Sequence, residues 1–173
     1  MTEIRSCSVV DRPVPELCAE LRPVVAATQC SSEQPINIVI VGDSRAKRRA
    51  AGKAIGQLLA AQGITASAAC ARLKAIDLLG YTVPPPGISM LRTWDTAGSG
   101  VVMIEDVDAF VGPLKNRATF QCPAVMAVIG TILTVADRPD GPVICLADCS
   151  EAIDRLFAAD SALRDCFDLR VHC

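Results

Sequence analysis

The stretch INIVIVG, residues 36–42, decides how the rest of the chain is read. Five of its seven residues are β-branched, only Asn37 interrupts the apolar run, and a glycine ends it. That is the pattern of a strand buried on both faces of a parallel sheet. RAKRRAAGKAIGQLLAAQG, residues 45–63, follows at once. It places Ala50, Ala54, Leu58 and Ala61 at helical spacing beside a basic face, with Gly63 as the stop. A strand running into an amphipathic helix is one βα unit, and the remainder of the chain repeats the theme. GVVMIE (residues 100–105), GPVICLAD (141–148) and FDLRVH (167–172) read as further strands, with a weaker one at 64–69. Helices are expected at 73–79, 87–97, 118–136 and 150–159. Residues 80–87 read as a loop, because three consecutive prolines cannot donate to a ladder. Strands alternating with helices require crossovers and a sheet covered on both faces. The predicted class is therefore an α/β three-layer sandwich with a parallel sheet of about five strands, and ligands belong at the strands' carboxyl ends.

Residues 1–35 carry Pro13, Pro15, Pro23 and Pro35 around one helical pattern at 16–27 and read as a leader packed on a body of residues 36–173. A length of 173 residues with 51% hydrophobic content fits one closed core and excludes a disordered chain. Seventeen basic and 19 acidic residues leave a net charge of −2, which gives no electrostatic case for nucleic acid or a membrane surface as partner. The longest apolar run, residues 124–136, is too short to span a bilayer and reads as a buried helix. Glu3, Asp11 and Glu16 interrupt the apolar core that a signal peptide needs, so a cytoplasmic location is expected. The nine cysteines are odd in number and never spaced as C-x-x-C, which suits small buried hydrophobes better than a disulfide framework.

A strand, a glycine, a polar turn and a helix also make the frame of a phosphate-binding loop. Such a loop needs glycines so that backbone N–H groups approach the phosphates, a lysine for the β/γ oxygens, and a hydroxyl for magnesium. Here the segment is Gly42-Asp43-Ser44-Arg45-Ala46-Lys47-Arg48-Arg49. Counting from Gly42, the second glycine slot holds Lys47, the lysine slot Arg48 and the hydroxyl slot Arg49, while Asp43 sets a negative charge at the mouth. VVMIED supplies Glu105 and Asp106 after a buried strand, where such sites keep one carboxylate for the magnesium shell and one for the attacking water. Two readings follow. Either the basic helix start holds no ligand, or Gly42, Lys47, Arg48 and Lys53 form an altered cradle for ATP or ADP with Mg²⁺. A third reading, a metal or thiol site of Cys145, Cys149, Cys166, His172 and Cys173, lacks a usual zinc spacing.

From residue 36 to residue 172 these blocks resemble, in order and spacing, the large α/β subdomain of an AAA+ ATPase. The similar group includes red-type Rubisco activase, the stage V sporulation protein K type and the ATPase of type VII secretion. DLLGYTVP and GSGVVMIEDVDAF resemble that group's DLVGxYIG and GGVLFIDEAY. PVICLADCSEAIDRLFAADSALRDCFDLRV resembles its VVILAGYxxxMDRxLxxNPGLRSRFxxxI. The resemblance implies a P-loop NTPase-like fold without the family's helical lid. It also implies that the family's Asp-Glu pair falls on Glu105 and Asp106 with their lengths exchanged, that the sensor position falls on Cys149, and that the first finger arginine falls on Arg164 with the second replaced by Cys166. The threading loop falls on Thr82, Val83 and Pro84, with Tyr81 one place early. The implied function is a pseudo-ATPase with a degraded loop and no cofactor, whose partner is a protein, either a true AAA+ ATPase or a further copy of itself. The alternative is a nucleotide-binding protein with residual ATPase activity.

Overall fold

The structure, a computed structural model, describes residues 5–7, 16, 19, 21–23, 26, 36–79, 92–93, 100–111, 123–137 and 143–173. In chain order these form β1 (Arg5–Cys7), β2 (Ile38–Val41), α1 (Arg45–Ala61), β3 (Cys70–Lys74), α2 (Ala75–Leu79) and β4 (Val101–Glu105). They continue with α3 (Asp108–Val111), α4 (Pro123–Ala136), β5 (Val143–Asp148), α5 (Ser150–Ala159), α6 (Ser161–Asp165) and β6 (Leu169–His172). The loop expected at 80–87, the threading-loop positions, most of the helix at 87–97 and the first residues of the helix at 118–136 lie outside the described residues.

Side-chain alternation makes the sheet two-sided. Val39, Val41, Val102, Ile104, Ile144 and Leu146 enter one apolar cluster, which α2 to α6 complete. Ile38, Ile40, Val101, Met103, Cys145 and Ala147 enter the other, completed by α1 and Leu21. A strand with both faces buried is apolar along its length, which is why β2, β4 and β5 read as apolar runs, broken only by the acids Glu105 and Asp148 at the ends of β4 and β5. All pairings are parallel and the order is β1-β6-β2-β5-β4-β3. The five strands of the body are thus joined by β1, a short strand from within residues 1–35.

Three elements differ from the sequence reading. The strand expected at 64–69 is β3, at Cys70–Lys74, and the helix expected at 73–79 starts two residues later, at Ala75. An edge strand tolerates charges, so CARLK carries no buried-run signal. Second, α1 buries Ala54 and Leu58 of the expected positions, together with Ala51, Ile55 and Leu59, while Ala50 and Ala61 are exposed. Alanine fits either face, and the buried face is instead marked by Gly52, where an added Cβ would come 2.6 Å from Met103 Sδ. Third, among its described side chains α4 is buried along Val125, Val128, Ile129, Ile132, Val135 and Ala136, whereas Met126, Ala127, Gly130 and Thr134 are exposed. Thr131 and Thr134 bond their hydroxyls to the carbonyls of Ala127 and Gly130, which lets hydroxyl residues sit on an otherwise apolar helix. No helix among the described residues is long and apolar enough to cross a membrane.

The topology fixes where a site can form. The helix that follows β2 lies on one face and the helix that follows its neighbour β5 lies on the other. Connections that leave adjacent strands in opposite directions open a crevice at the strands' carboxyl ends. Gly42, Asp148, Glu105 and Asp106 all stand at that end.

Candidate functional site

Construction of the crevice starts at the end of β2. The Gly42 N–H donates to the Asp148 carbonyl at 3.2 Å, and the Cys173 N–H donates to the Val41 carbonyl at 2.8 Å, so three strand ends converge on Gly42. A Cβ at position 42 would lie 2.3 Å from the Cys173 carbonyl oxygen, which only glycine avoids. Asp43 and Ser44 are then the whole turn. Ser44 caps α1, its Oγ accepting from the Lys47 N–H at 3.4 Å, and Arg45 is already helical. Residues 45–49, which in a phosphate-binding loop would include the wrap around the anion, are here the first turns of a helix.

Arg45, Arg48 and Arg49 stand at i, i+3 and i+4 and therefore share one helix face. Opposite them, alternation along β4 turns Glu105 to the same side as Val101 and Met103, toward α1. Arg49 Nε and Nη2 donate to Glu105 Oε1 and Oε2 at 2.6 and 2.7 Å, a bidentate fork on a carboxylate that is 2% exposed. Asp106 follows with φ of 58°, in the left-handed region that aspartate tolerates better than most residues. Its Oδ2 accepts from Arg45 Nη2 at 2.6 Å, and its Oδ1 lies 3.5 Å from Arg48 Nη2. Arg48, 6% exposed, also donates through Nη1 to the Gly42 carbonyl at 2.5 Å, while its buried Nε has no hydrogen-bond partner among the described residues.

Charge explains the stability of this arrangement. Three guanidinium groups face two carboxylates, so the acids are neutralised from within with one positive charge in excess. The Arg49 hydrogen bonds hold the Glu105 carboxyl below its ordinary range, although burial pushes the other way, and the Glu105 hydrogen bond raises Arg49 in turn. Planar guanidinium forks match carboxylates where a lysine would supply a single point of charge. A magnesium nucleotide does not fit these residues as they stand. The turn offers two residues where phosphates need a loop, the acids already have their cations, and Arg48 occupies the Gly42 carbonyl.

Of the residues singled out in the sequence, Gly42, Arg48, Arg49, Glu105 and Asp106 are brought together. Lys47 is exposed on the first turn of α1, and Lys53 is exposed further along the helix, about 12 Å from its start at 1.5 Å per residue. Cys149 is the residue before α5, with its N–H on Asp148 Oδ1 at 2.7 Å. Arg164 pairs with its neighbour Asp165 at 3.2 Å, close to the amino end of β6 and so at the opposite end of the sheet. Among the described residues no group of three metal-ligating side chains assembles, so the cysteine and histidine site is not formed. Cys145 is buried within β5, where burial drives its thiol well above the usual range. Arg155 pairs with Asp108 at 2.5 Å, and Asp154 with Arg170 at 2.7 Å.

Two contributors escaped the sequence reading. Arg45 was legible as the residue four before Arg49. Asp148, 8% exposed, accepts from the N–H groups of Asp108 and Cys149 and so ties the end of β5 to the starts of α3 and α5. Its signal was its place at the end of VICLAD. Compared with models of known families and with curated proteins, the chain matches none.

Proposed function

We propose that the chain is an AAA+-like domain whose nucleotide crevice is closed from within, and that it acts by binding another protein and does not hydrolyse ATP. The parallel sheet, the crevice at the carboxyl ends of β2, β5 and β4, and the order of the motif blocks support the family reading. The observation that carries the functional one is the Arg49 fork on Glu105, together with Arg45 and Arg48 on Asp106. Those arginines neutralise the acids that would otherwise hold magnesium and polarise water. Loss of a loop lysine, a metal-holding hydroxyl and a finger arginine removes groups that each change phosphoryl-transfer rates by orders of magnitude. The partner is a true AAA+ ATPase or a further copy of this chain, met through the surfaces that join subunits in such rings.

The test is steady-state ATP turnover by the purified chain with magnesium. Turnover at buffer background is expected; a rate typical of AAA+ proteins that Glu105→Gln abolishes would overturn the reading. One observation favours a second reading: Arg48 Nε, buried beside the start of α1, has no hydrogen-bond partner among the described residues and suits an anion once the arginines release the acids, so ADP or ATP bound without turnover is the alternative. Calorimetric titration separates the two, since heat at millimolar nucleotide belongs to the second alone.

A further inference from the structure

Among the described residues, the outer edge of β3 leaves main-chain groups unpaired. Alternate residues of a parallel strand turn both N–H and C=O to the same neighbour. The Ala69 carbonyl accepts from the Val101 N–H, so residues 69, 71 and 73 face β4, while the main-chain groups of Cys70 and Arg72 and the Lys74 N–H point outward; the Lys74 carbonyl is taken by the first turn of α2. No described strand pairs with that edge. Ala71 and Leu73 pack against the apolar cluster, whereas Arg72 and Lys74 are exposed on the opposite face, in register with Met103 and Glu105. Glu105, directly across from Lys74, has both carboxylate oxygens engaged by Arg49, and Arg72 acts on it through its field without pairing with it. Among the described residues no carboxylate makes an ion pair with Arg72 or Lys74. Two residues beyond Lys74 stands Ile76, a large apolar side chain that is 59% exposed.

We propose that this edge is a docking site for an extended acidic segment of a partner protein. The segment adds to β3 as a further strand, sets carboxylates against Arg72 and Lys74, and rests an apolar residue on Ile76. Main-chain bonds in such an addition supply affinity with little sequence demand, and the cations supply selectivity. Charge also decides against a second copy of this chain: edge-to-edge pairing would bring Arg72 and Lys74 against the same cations, and like charges across strands are destabilising. The site rests on the reading of the domain as a binding module and names the chemistry of its partner.

The test uses the full chain and two fluorescein-labelled peptides, Thr-Val-Glu-Val-Glu-Val-Leu and the same peptide with lysine at both glutamate positions. Fluorescence anisotropy at low salt is expected to show the acidic peptide bound at least about tenfold more tightly than the basic one. The double variant Arg72→Glu, Lys74→Glu should weaken it by about tenfold, as two lost attractions and two new repulsions require. Amide exchange in the unaltered chain is expected to slow at Cys70, Arg72 and Lys74 when the acidic peptide is present, a readout that does not depend on the variant folding. Equal binding of both peptides, binding of neither, or protection confined to other amides overturns the proposal. ATP turnover measured on the same samples keeps the two readings apart: turnover sinks the closed crevice and leaves the edge result standing, whereas absent binding without turnover sinks the edge alone.

Discussion

Arg49 and Glu105 set an acid sensitivity that solution measurements can read. The guanidinium fork favours the ionised carboxylate, so Glu105 contributes stability that is full above its unfolded value near 4.5 and is lost as pH falls through the lower folded value. His172 acts in the same sense higher up the scale. Burial first, and then Arg170, hold its imidazole below the ordinary 6.5, so its contribution is full above 6.5 and is lost on acidification through the folded value. Asp168 opposes both, because burial raises it above 3.8; its contribution is full below 3.8 and is lost as pH rises through the folded value. The urea midpoint is therefore expected to fall in two steps on acidification, beneath 6.5 and again beneath 4.5. His172→Gln removes the upper step and Arg49→Gln diminishes the lower. An Arg49→Gln midpoint that tracks the parent at every pH would show that the fork is not formed in solution.

Two glycines on different elements are expected to respond to alanine with opposite signs. Gly130 stands within α4, exposed, with nothing within 4 Å of an added Cβ. Gly130→Ala therefore gains helix propensity without a clash and raises stability by about 0.5–1 kcal/mol. At Gly42 the added carbon meets the Cys173 carbonyl, so Gly42→Ala pushes the ends of β2 and β6 apart at a cost of about 1–3 kcal/mol. Chemical denaturation checks both, and a Gly42→Ala chain as stable as its parent refutes the convergence of those strands. The same elements show what a sequence discloses. Strands β2, β4 and β5 were legible because burial on both faces forces apolar runs, whereas β3 was displaced because its edge position permits Arg72 and Lys74. Strand β1, with three residues of sequence RSC, carries no period at all. Within the site, counting from Gly42 and from the apolar run of β4 found Arg48, Arg49, Glu105 and Asp106. That the arginines seize those acids was not legible, since it depends on a long-range sheet order that sets the end of β4 within reach of α1.

For the molecule as a whole, the crevice tests whether its charges serve catalysis or cohesion. A working nucleotide site keeps its acids without protein cations, ready for a metal, and the resulting repulsion lowers stability for the sake of activity. Neutralising an acid in such a site removes turnover while stability holds or rises. Here the opposite is expected of Asp106→Asn. Asparagine tolerates the left-handed backbone at position 106, so the substitution removes charge with little conformational strain. It leaves the buried Arg48 and the half-exposed Arg45 without their shared carboxylate, which lowers stability by about 1–2 kcal/mol once the exposure of Arg45 is discounted. Added salt narrows the gap between variant and parent, because the Arg45 pair is screened and the Arg48 pair is screened less. Denaturation midpoints at low and high salt, with ATP turnover measured on both chains, supply the comparison. A less stable variant, with turnover at background in both, is the signature of an acid kept for cohesion. An Asp106→Asn chain more stable than its parent, or one whose turnover drops from a measurable parent rate, would instead identify a crevice built to be filled by nucleotide.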